Sequence, residues 1–212
     1  MRELTPAGRR ALFVALFGIY VLNYADRFTL PAVAQPLQKA LAISDAQLGL
    51  LGTAFLLVYA LSAPFLGALA DRAARTSIIA AGVGVWSVAT AVTALCRTFP
   101  QLFVVRAILG IGEASFFPAA NSLIGDMFPM ERRARALSWF GLASPIGVFL
   151  GYAVGGTVAQ RFGWQWAFLI VGLPGLGLAL AVRTMREPIR GESEGLTAAG
   201  AVDYGPLGAR LL

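Results

Sequence analysis

The chain has 212 residues, of which 58% are hydrophobic and 13% are charged. A soluble domain places about a quarter of its residues in charged side chains, so this composition excludes an ordinary soluble fold and predicts an integral membrane protein. The formal charge of +6 does not indicate nucleic-acid binding, because the basic residues separate apolar runs instead of clustering. There is no His and a single Cys, Cys96. We therefore expect no imidazole catalysis, no metal site, no disulfide within the chain and no cofactor.

Six apolar runs are long enough to cross a bilayer, since a helix of about 20 apolar residues spans the ~30 Å hydrocarbon core. They cover residues 11–37, 48–70, 76–96, 101–125, 136–160 and 165–183. The sequence thus predicts an all-α integral membrane protein in three parts. These are a cytoplasmic N-terminus over residues 1–10, a six-helix transmembrane domain over residues 11–183, and a cytoplasmic linker or tail over residues 184–212.

The basic residues of the loops predict the orientation. If the N-terminus is cytoplasmic, the cytoplasmic side carries Arg2, Arg9, Arg10, Arg72, Arg75, Arg132, Arg133, Arg135, Arg183, Arg186 and Arg190, and the other side carries Lys39, Arg97 and Arg161. The positive-inside rule then places both termini in the cytoplasm, and we expect a multi-pass protein of the inner cell membrane. The basic start and first apolar run also resemble a secretory signal peptide. That run continues past Arg27, however, and five more spans follow it.

Four ionisable residues lie inside predicted spans: Asp26 and Arg27 in the first, and Arg106 and Glu113 in the fourth. A charge near the bilayer centre costs at least ~2.5 kcal/mol on insertion scales, so each is a candidate functional residue. With a rise of about 1.5 Å per residue, Arg106 lies level with Asp26 if the two helices are neighbours. Arg106 and Glu113 are seven residues apart and therefore share one helix face.

Proton coupling is the chemistry that these residues permit. Without His, only Asp26 and Glu113 can exchange protons within the spans near neutral pH. The proton affinity of a carboxylate in a low-dielectric cavity depends on whether a cation lies beside it, while Arg106 suits either a carboxylate or a substrate anion. Further candidates for cavity lining or charge pairing are Asn23, Tyr24 and Arg27. The alternative is a set of structural ion pairs that only orient helices.

The two charged helices each open a block of three spans, as a 3+3 inverted repeat would. Small residues recur every fourth position in the fifth span and predict close helix packing; they are Ala143, Gly147, Gly151 and Gly155. Prolines within the spans predict kinks; they are Pro31, Pro64, Pro118, Pro145 and Pro174.

Two cytoplasmic loops carry charges of both signs. The loop over residues 67–76 contains Asp71, Arg72 and Arg75, and the loop over residues 126–135 contains one more acidic and basic cluster. Ion pairs between such clusters can hold one membrane face closed and open it when they break. We expect Gly67, Asp71, Arg72 and Arg75 to form a gating loop; the alternative is an ordinary polar turn.

These motifs resemble the major facilitator superfamily and, within it, the bacterial spinster-like branch. Residues 67–75 are similar to the superfamily signature Gly-x-x-x-Asp-Arg-x-x-Arg between its second and third helices, although Ala74 stands where Gly is usual. The resemblance to the spinster branch rests on residues 23–27, 44–51, 106–114, 162–168 and 186–188. Ser144 and Pro145 match the fifth-helix antiporter motif only in part, so antiport is not inferred.

The resemblance implies a proton-coupled secondary carrier that works by alternating access. Asp26 and Glu113 would handle protons, Arg106 would be their partner near the substrate cavity, and Asp71 would dock against a second six-helix half. The leading substrate is an amphiphilic lipid such as a lysophospholipid or a sphingoid-type lipid. The alternative is an organic-anion symporter of the same superfamily.

The length differs from that of the family, whose members have twelve helices in two halves. We therefore expect the N-terminal six-helix half, either as a fragment or paired with a missing second half, and surrounded by membrane lipids. A non-transporting subunit or scaffold is the alternative from another class, because buried polar residues can hold helices together. An intramembrane enzyme would need more than Asp26 and Glu113, and no nucleophile or cofactor motif accompanies them.

Overall fold

The structure is a computed structural model that describes residues 4–191 and residue 193. The predicted N-terminal segment and tail are therefore described only over residues 4–10, 184–191 and 193. In this part of the chain the secondary structure is helical. The helices are α1 (Pro6–Ala32), α2 (Ala34–Leu41), α3 (Asp45–Arg72), α4 (Arg75–Thr93), α5 (Phe99–Ala114), α6 (Phe116–Met127), α7 (Met130–Gly141), α8 (Ala143–Phe162) and α9 (Trp164–Thr184).

The helices form six apolar spans in the described part of the chain, which confirms the predicted number. Helices α1, α3, α4 and α9 are one span each, whereas α5 and α6 together form Phe99–Met127, and α7 and α8 form Met130–Phe162. The first run, predicted to reach residue 37, is divided into α1 and the short helix α2. We call the membrane side on which α1 begins the N-terminal face and the opposite side the far face.

Proline explains where the long helices are interrupted, because it offers no N–H to the carbonyl four residues earlier. Three helices end four residues before a proline: the pairs are Ala32 and Pro36, Ala114 and Pro118, and Gly141 and Pro145. Pro64 and Pro174 lie inside helices that continue, and Pro31 is the last residue but one of α1. The fourth and fifth spans are therefore each built from two helical segments.

A local capping signal starts α3 at the far face. The Ser44 hydroxyl accepts a hydrogen bond from the Gln47 backbone N–H at 3.2 Å, and Gln47 Oε1 accepts one from the Ser44 N–H at 2.9 Å. This capping box satisfies two backbone donors that the first turn leaves open.

The contacts between spans follow an internal repeat. The most extensive contacts join α1 to α8, α4 to α9, and α3 to α5, which are the first span to the fifth, the third to the sixth, and the second to the fourth. Exchanging spans one to three with spans four to six maps this set of contacts onto itself. Because each block has three spans, the second block starts from the opposite membrane face. The fold is thus the expected 3+3 inverted repeat.

Two apolar clusters form the core of the described chain. One cluster, toward the N-terminal face, includes Tyr20, Trp86 and Phe116, and the other, toward the far face, includes Leu30 and Leu102. On α1 the buried residues of the first cluster end at Tyr20 and those of the second begin at Leu30. Asp26 therefore lies between the two clusters.

Candidate proton-coupling and substrate site

Helices α1 and α5 bring four charged side chains into the interior. Asp26, Arg106 and Glu113 are 1%, 3% and 1% exposed, while the Arg27 side chain keeps 23% of its surface exposed. Charged residues are almost never this buried unless they are paired or bound, so the arrangement requires an explanation from its contacts.

Asp26 is held by Thr90 of α4, which no sequence pattern indicated. The Thr90 hydroxyl donates a hydrogen bond of 3.0 Å to Asp26 Oδ1. Among the described residues, Oδ2 has no hydrogen-bond partner. One oxygen of this carboxylate therefore has a hydrogen-bond donor, and the other has none in the described chain.

Glu113 forms its ion pair with Arg27, whereas the resemblance implied Arg106 for this position. Arg27 Nε donates to Glu113 Oε2 at 2.6 Å, and Glu113 Oε1 has no hydrogen-bond partner in the described chain. Aromatic rings hold the guanidinium in place through cation–π contacts. Its distances to the ring centroids are 4.7 Å for Tyr59, 5.1 Å for Phe55 and 5.6 Å for Tyr24.

The Arg106 guanidinium has N–H groups that no described residue accepts. Its Nε and Nη2 atoms are buried and have no hydrogen-bond partner among the described residues, and its guanidinium lies 5.4 Å from the centroid of the Phe168 ring. Burying a charged group without hydrogen bonds is costly. A planar guanidinium in this state can bind a carboxylate or a phosphate group with two parallel hydrogen bonds.

Two cavities meet at Arg27. The larger, about 340 Å³, is lined by Arg27 and Arg106 together with Tyr24, Phe28, Leu30, Leu51, Gly52, Phe55 and Leu56. The smaller, about 140 Å³, is lined by Tyr20, Asn23, Tyr24, Arg27, Tyr59, Glu113, Phe116 and Phe117. Arg27 and Tyr24 thus line both cavities, whereas Arg106 lines only the larger and Glu113 only the smaller. Asn23 lines the smaller cavity, and Asp26 lines neither.

The glycines of α8 face α1. A Cβ atom on Gly151 would lie 2.6 Å from the Ala25 carbonyl oxygen, and one on Gly155 would lie 2.9 Å from Ala32 Cβ. A Cβ on Gly147 would overlap the Val21 carbonyl oxygen. Because backbones approach this closely only where side chains are absent, α8 fixes the part of α1 that carries Asp26 and Arg27.

The four residues expected to form a gating loop between α3 and α4 lie in different environments. Asp71 and Arg72 are exposed, whereas Arg75 is 1% exposed. A Cβ on Gly67 would be in ordinary contact with Pro118, at 3.7 Å. The Arg75 guanidinium donates to Glu187 Oε1 at 2.6 Å, to Ser122 Oγ at 2.8 Å and to Asp126 Oδ2.

The segment after α9 completes this cluster, although its composition is typical of a polar tail. Arg190 donates to the carbonyl oxygens of Ala70 at 2.8 Å, of Ala73 at 3.1 Å and of Asp71. We call Arg75, Asp126, Glu187 and Arg190 the N-terminal-face latch. The opposite charges of Glu187 and Asp126 near loop arginines were the available signal, but nothing in the sequence indicated that the chain turns back.

Residues 4–191 and 193 contain no group of three or more metal-binding side chains placed to hold a metal ion.

The sequence matches the Major Facilitator Superfamily over residues 16–207. Protein spinster of Drosophila melanogaster is 35% identical over 196 residues, which are 91% of this chain and 32% of that protein. Protein spinster homolog 1 of Homo sapiens is 39% identical over 198 residues, which are 90% of this chain and 37% of that protein.

Solved structures show the same similarity. The chain matches the crystal structure of a bacterial homologue of the human lysosomal transporter Spinster, inward-facing and occupied, with a TM-score of 0.84 and 34% identity over 93% of this chain and 48% of that one. The inward-facing, unoccupied structure gives a TM-score of 0.83 and 33% identity over 88% and 45%. The chain thus spans between 32% and 48% of the length of these relatives.

Proposed function

Because the chain belongs to the Major Facilitator Superfamily, we propose that it is the N-terminal six-helix half of a proton-coupled, spinster-like secondary transporter. The observation that carries the proposal is the buried cluster of Asp26, Arg27, Arg106 and Glu113 around two cavities. Membership of a transporter family also favours transport over the intramembrane-enzyme alternative. We place the protein in the inner cell membrane with both termini in the cytoplasm.

The free carboxylate oxygens support proton coupling. Asp26 Oδ2 and Glu113 Oε1 can each take a proton without losing an existing hydrogen bond. Protonation of Glu113 removes the negative charge that holds Arg27, and Arg27 lines both cavities. A proton on Glu113 therefore frees the side chain between the cavities, which links proton binding to a change in cavity shape.

The larger cavity supports an anionic amphiphile as the substrate. Arg27 and Arg106 provide positive charge, and the rest of the lining is mostly apolar or aromatic. An acidic headgroup would bind the guanidinium groups, and a hydrocarbon chain would cover the apolar lining. A lysophospholipid or a phosphorylated sphingoid-type lipid has both parts, whereas a small polar organic anion would leave the apolar lining uncovered.

Poor burial of two spans supports a second half. Only 17% of the most apolar stretch of the second span is buried, and 22% of the fifth, against 56% and 61% for the third and fourth. The second and fifth spans are equivalent in the inverted repeat. Large exposed side chains on them include Leu56, Leu57, Leu61, Phe65, Phe149 and Tyr152. We propose that the second half packs on these spans and closes the larger cavity, which α3 lines, from lipid.

The test is proton-driven transport in liposomes by a coding sequence that joins this chain to a second six-helix half. We expect uptake of a fluorescent lysophospholipid to depend on the pH gradient. Asp26→Asn and Glu113→Gln should each abolish that dependence, while Glu131→Gln, at an exposed acidic residue, should not. Unchanged pH-dependent uptake in both buried variants would show that the ion pairs are only structural.

Arg106→Ala separates a transporter from a scaffold. A transporter should keep its assembly with the second half, measured by co-purification, and lose flux. A scaffold would lose the assembly itself. Uptake of a water-soluble organic anion such as benzoate, without lysophospholipid, would contradict the lipid substrate and favour the symporter alternative.

A further inference from the structure

A third cavity lies at the N-terminal face, apart from Asp26 and Glu113. It measures about 470 Å³ and is lined by Phe13, Phe128, Arg132, Arg135, Ala136 and Trp139. Its volume falls within the ~300–1,000 Å³ range of small-molecule sites. None of these six residues lines either of the two cavities around Arg27.

Helix α7 supplies unpaired positive charge to this cavity. Arg132 and Arg135 are three positions apart, which places them on neighbouring turns of one helix side. Both are exposed, and no hydrogen bond or ion pair joins either guanidinium to another described residue. Arg133 instead donates to the Gly125 carbonyl oxygen at 2.9 Å. Glu131 is the one acidic residue of α7, so the helix keeps a net positive charge.

The rest of the cavity is apolar and aromatic. The Phe13 ring lies edge-on to Phe128, with centroids 5.7 Å apart. Trp139 is 57% exposed, whereas Ala136 and Phe140 are buried and attach α7 to the bundle. The cavity therefore combines cationic and apolar lining, as an amphiphile requires.

Helix length places the cavity at the membrane–water interface. The fifth span, Met130–Phe162, has 33 residues and is about 50 Å long, or ~20 Å longer than the hydrocarbon core. We take Arg161, near the end of the span, as the edge of the hydrocarbon core at the far face. A distance of about 30 Å along the helix from Arg161 then reaches Gly141, which marks the opposite edge. Trp139 then lies ~3 Å and Arg135 ~9 Å beyond the hydrocarbon edge, at the level of the headgroups. Tryptophan is enriched at this depth.

We propose that this cavity binds an anionic phospholipid of the surrounding leaflet. The phosphate lies between Arg132 and Arg135, and the first acyl segment covers Phe13, Phe128 and Trp139. Basic pockets between transmembrane helices on one membrane face bind anionic headgroups in this way. A zwitterionic lipid lacks the net negative charge, and a water-soluble phosphate lacks the apolar part.

The cavity is lined by α1, α7 and Phe128, whereas the exposed side chains of the fifth span that we propose to meet the second half, Phe149 and Tyr152, lie on α8. The site therefore does not depend on the proposed transport activity.

The test measures lipid binding to the purified 212-residue chain by native mass spectrometry. Dioleoylphosphatidylglycerol and dioleoylphosphatidylcholine are titrated against the wild type and the double variant Arg132→Ala/Arg135→Ala. Loss of two interfacial arginines should weaken binding of the anionic lipid by about thirtyfold and leave the zwitterionic lipid unaffected. Arg132→Lys/Arg135→Lys keeps both charges and should keep most of the binding.

Arg161→Ala is the matched control, because Arg161 is an exposed arginine near the end of the same span, on the far face. It should bind the anionic lipid as the wild type does. Equal weakening in Arg161→Ala, or unchanged binding in the Arg132→Ala/Arg135→Ala variant, would overturn the proposal. Full displacement of the lipid by equimolar glycerol phosphate would also overturn it, since that result identifies a simple anion site.

Thermal unfolding provides a second readout. Cys96 is the single cysteine and is 4% exposed, so its reaction with a fluorogenic maleimide reports unfolding. The anionic lipid should raise the unfolding temperature of the wild type and of Arg161→Ala, but not that of the double alanine variant. Without lipid, all three should unfold at similar temperatures, which shows that the substitutions leave the fold intact. No temperature shift in the wild type would contradict a specific site.

Discussion

At the scale of single residues, the two buried carboxylates differ in what holds them. Asp26 accepts a hydrogen bond from a neutral hydroxyl of α4, whereas Glu113 accepts one from the Arg27 guanidinium of α1. Asp26 therefore responds to movement of α4 against α1. Glu113 responds to whatever moves Arg27, including an anion in the larger cavity. In the proposed transporter, proton binding and substrate binding would thus act on the same ion pair.

Thr90 is predicted to be a positioning residue for Asp26. Thr90→Val removes the hydroxyl with little change of shape and leaves Asp26 with no hydrogen-bond donor among the described residues. Loss of one partner of a buried charged group costs ~1–3 kcal/mol. We expect a lower unfolding temperature in detergent, followed through Cys96 reactivity, and a shifted pH profile of transport in the two-half protein.

The control for Thr90 is Thr93→Val, one turn further along α4. Thr93 is equally buried, but its hydroxyl donates to the Ala89 carbonyl oxygen of its own helix at 3.0 Å. Helical carbonyls are already satisfied by the helix, so this change should have a small effect. If both variants behave alike, the hydrogen bond from Thr90 has no particular role.

Sequence patterns located the charged residues but not their pairing. Helical periodicity placed Arg106 and Glu113 on one face of the fourth span because it depends only on spacing. The choice of Arg27 as the partner of Glu113 depends on Phe55 and Tyr59 of α3, whose rings hold the guanidinium. Such a contact between distant segments leaves no periodic signal. Thr90 was missed for the same reason.

At the scale of helices, the interruption of the fourth span lies between the buried charged cluster and the N-terminal-face latch. Helix α5 carries Arg106 and Glu113, and α6 carries Asp126 of the N-terminal-face latch. Between them, the Ser115 hydroxyl donates to the Gly112 carbonyl oxygen at 2.8 Å, where Pro118 prevents a regular helix. We propose that a change at Glu113 reaches the latch through this short, interrupted element.

Glycine packing between α8 and α1 is predicted to be essential at Gly151. Gly151→Ala places a Cβ 2.6 Å from the Ala25 carbonyl oxygen, so the helices must separate. Overpacking of this kind costs ~1–3 kcal/mol. Gly156→Ala is the control, because no atom lies within 4 Å of its Cβ position, and alanine raises helix propensity by up to ~1 kcal/mol.

The comparison of Gly151→Ala with Gly156→Ala is made by thermal unfolding. We expect a lower unfolding temperature for the first and an equal or higher one for the second. If Gly151→Ala is as stable as the wild type, close contact with α1 does not stabilise the bundle.

Proline positions predict local features of the helices, whereas the composition of the segment after α9 does not predict its contacts. Pro145 predicted an irregularity, and the fifth span is interrupted four residues before it, since that consequence of a missing N–H is local. The segment over residues 185–191 was expected to be a polar tail from its composition. It packs instead, because Arg190 and Glu187 bind groups of α3 and α4 that only the fold brings near.

At the scale of the whole molecule, the inverted repeat explains why the latch and the charged cluster occupy different depths. The spans of the two blocks run in opposite directions, so the ends of α3, α6 and α9 meet the start of α4 at the N-terminal face. The buried charges lie nearer the membrane centre, between the two apolar clusters. Movement of one block against the other would alter both sites at once.

The orientation of the chain in the membrane is predicted by the uneven distribution of loop arginines. The positive-inside rule requires the N-terminal face, which carries most of them, to be cytoplasmic. We propose a Cys96→Ala background with single cysteines at exposed positions on both faces. Ala74→Cys and Ala134→Cys report on the N-terminal face, and Ala40→Cys and Gln160→Cys report on the far face.

A membrane-impermeant maleimide is applied to intact cells and to lysed cells. In intact bacteria with a permeabilised outer membrane, the far-face cysteines at positions 40 and 160 should react. Those at positions 74 and 134 should react only after lysis. The reverse pattern would place the N-terminal face, and with it the proposed phospholipid cavity, in the outer leaflet. Labelling of all four positions in intact cells would contradict a single orientation, and with it the use of loop arginines to assign the cytoplasmic side.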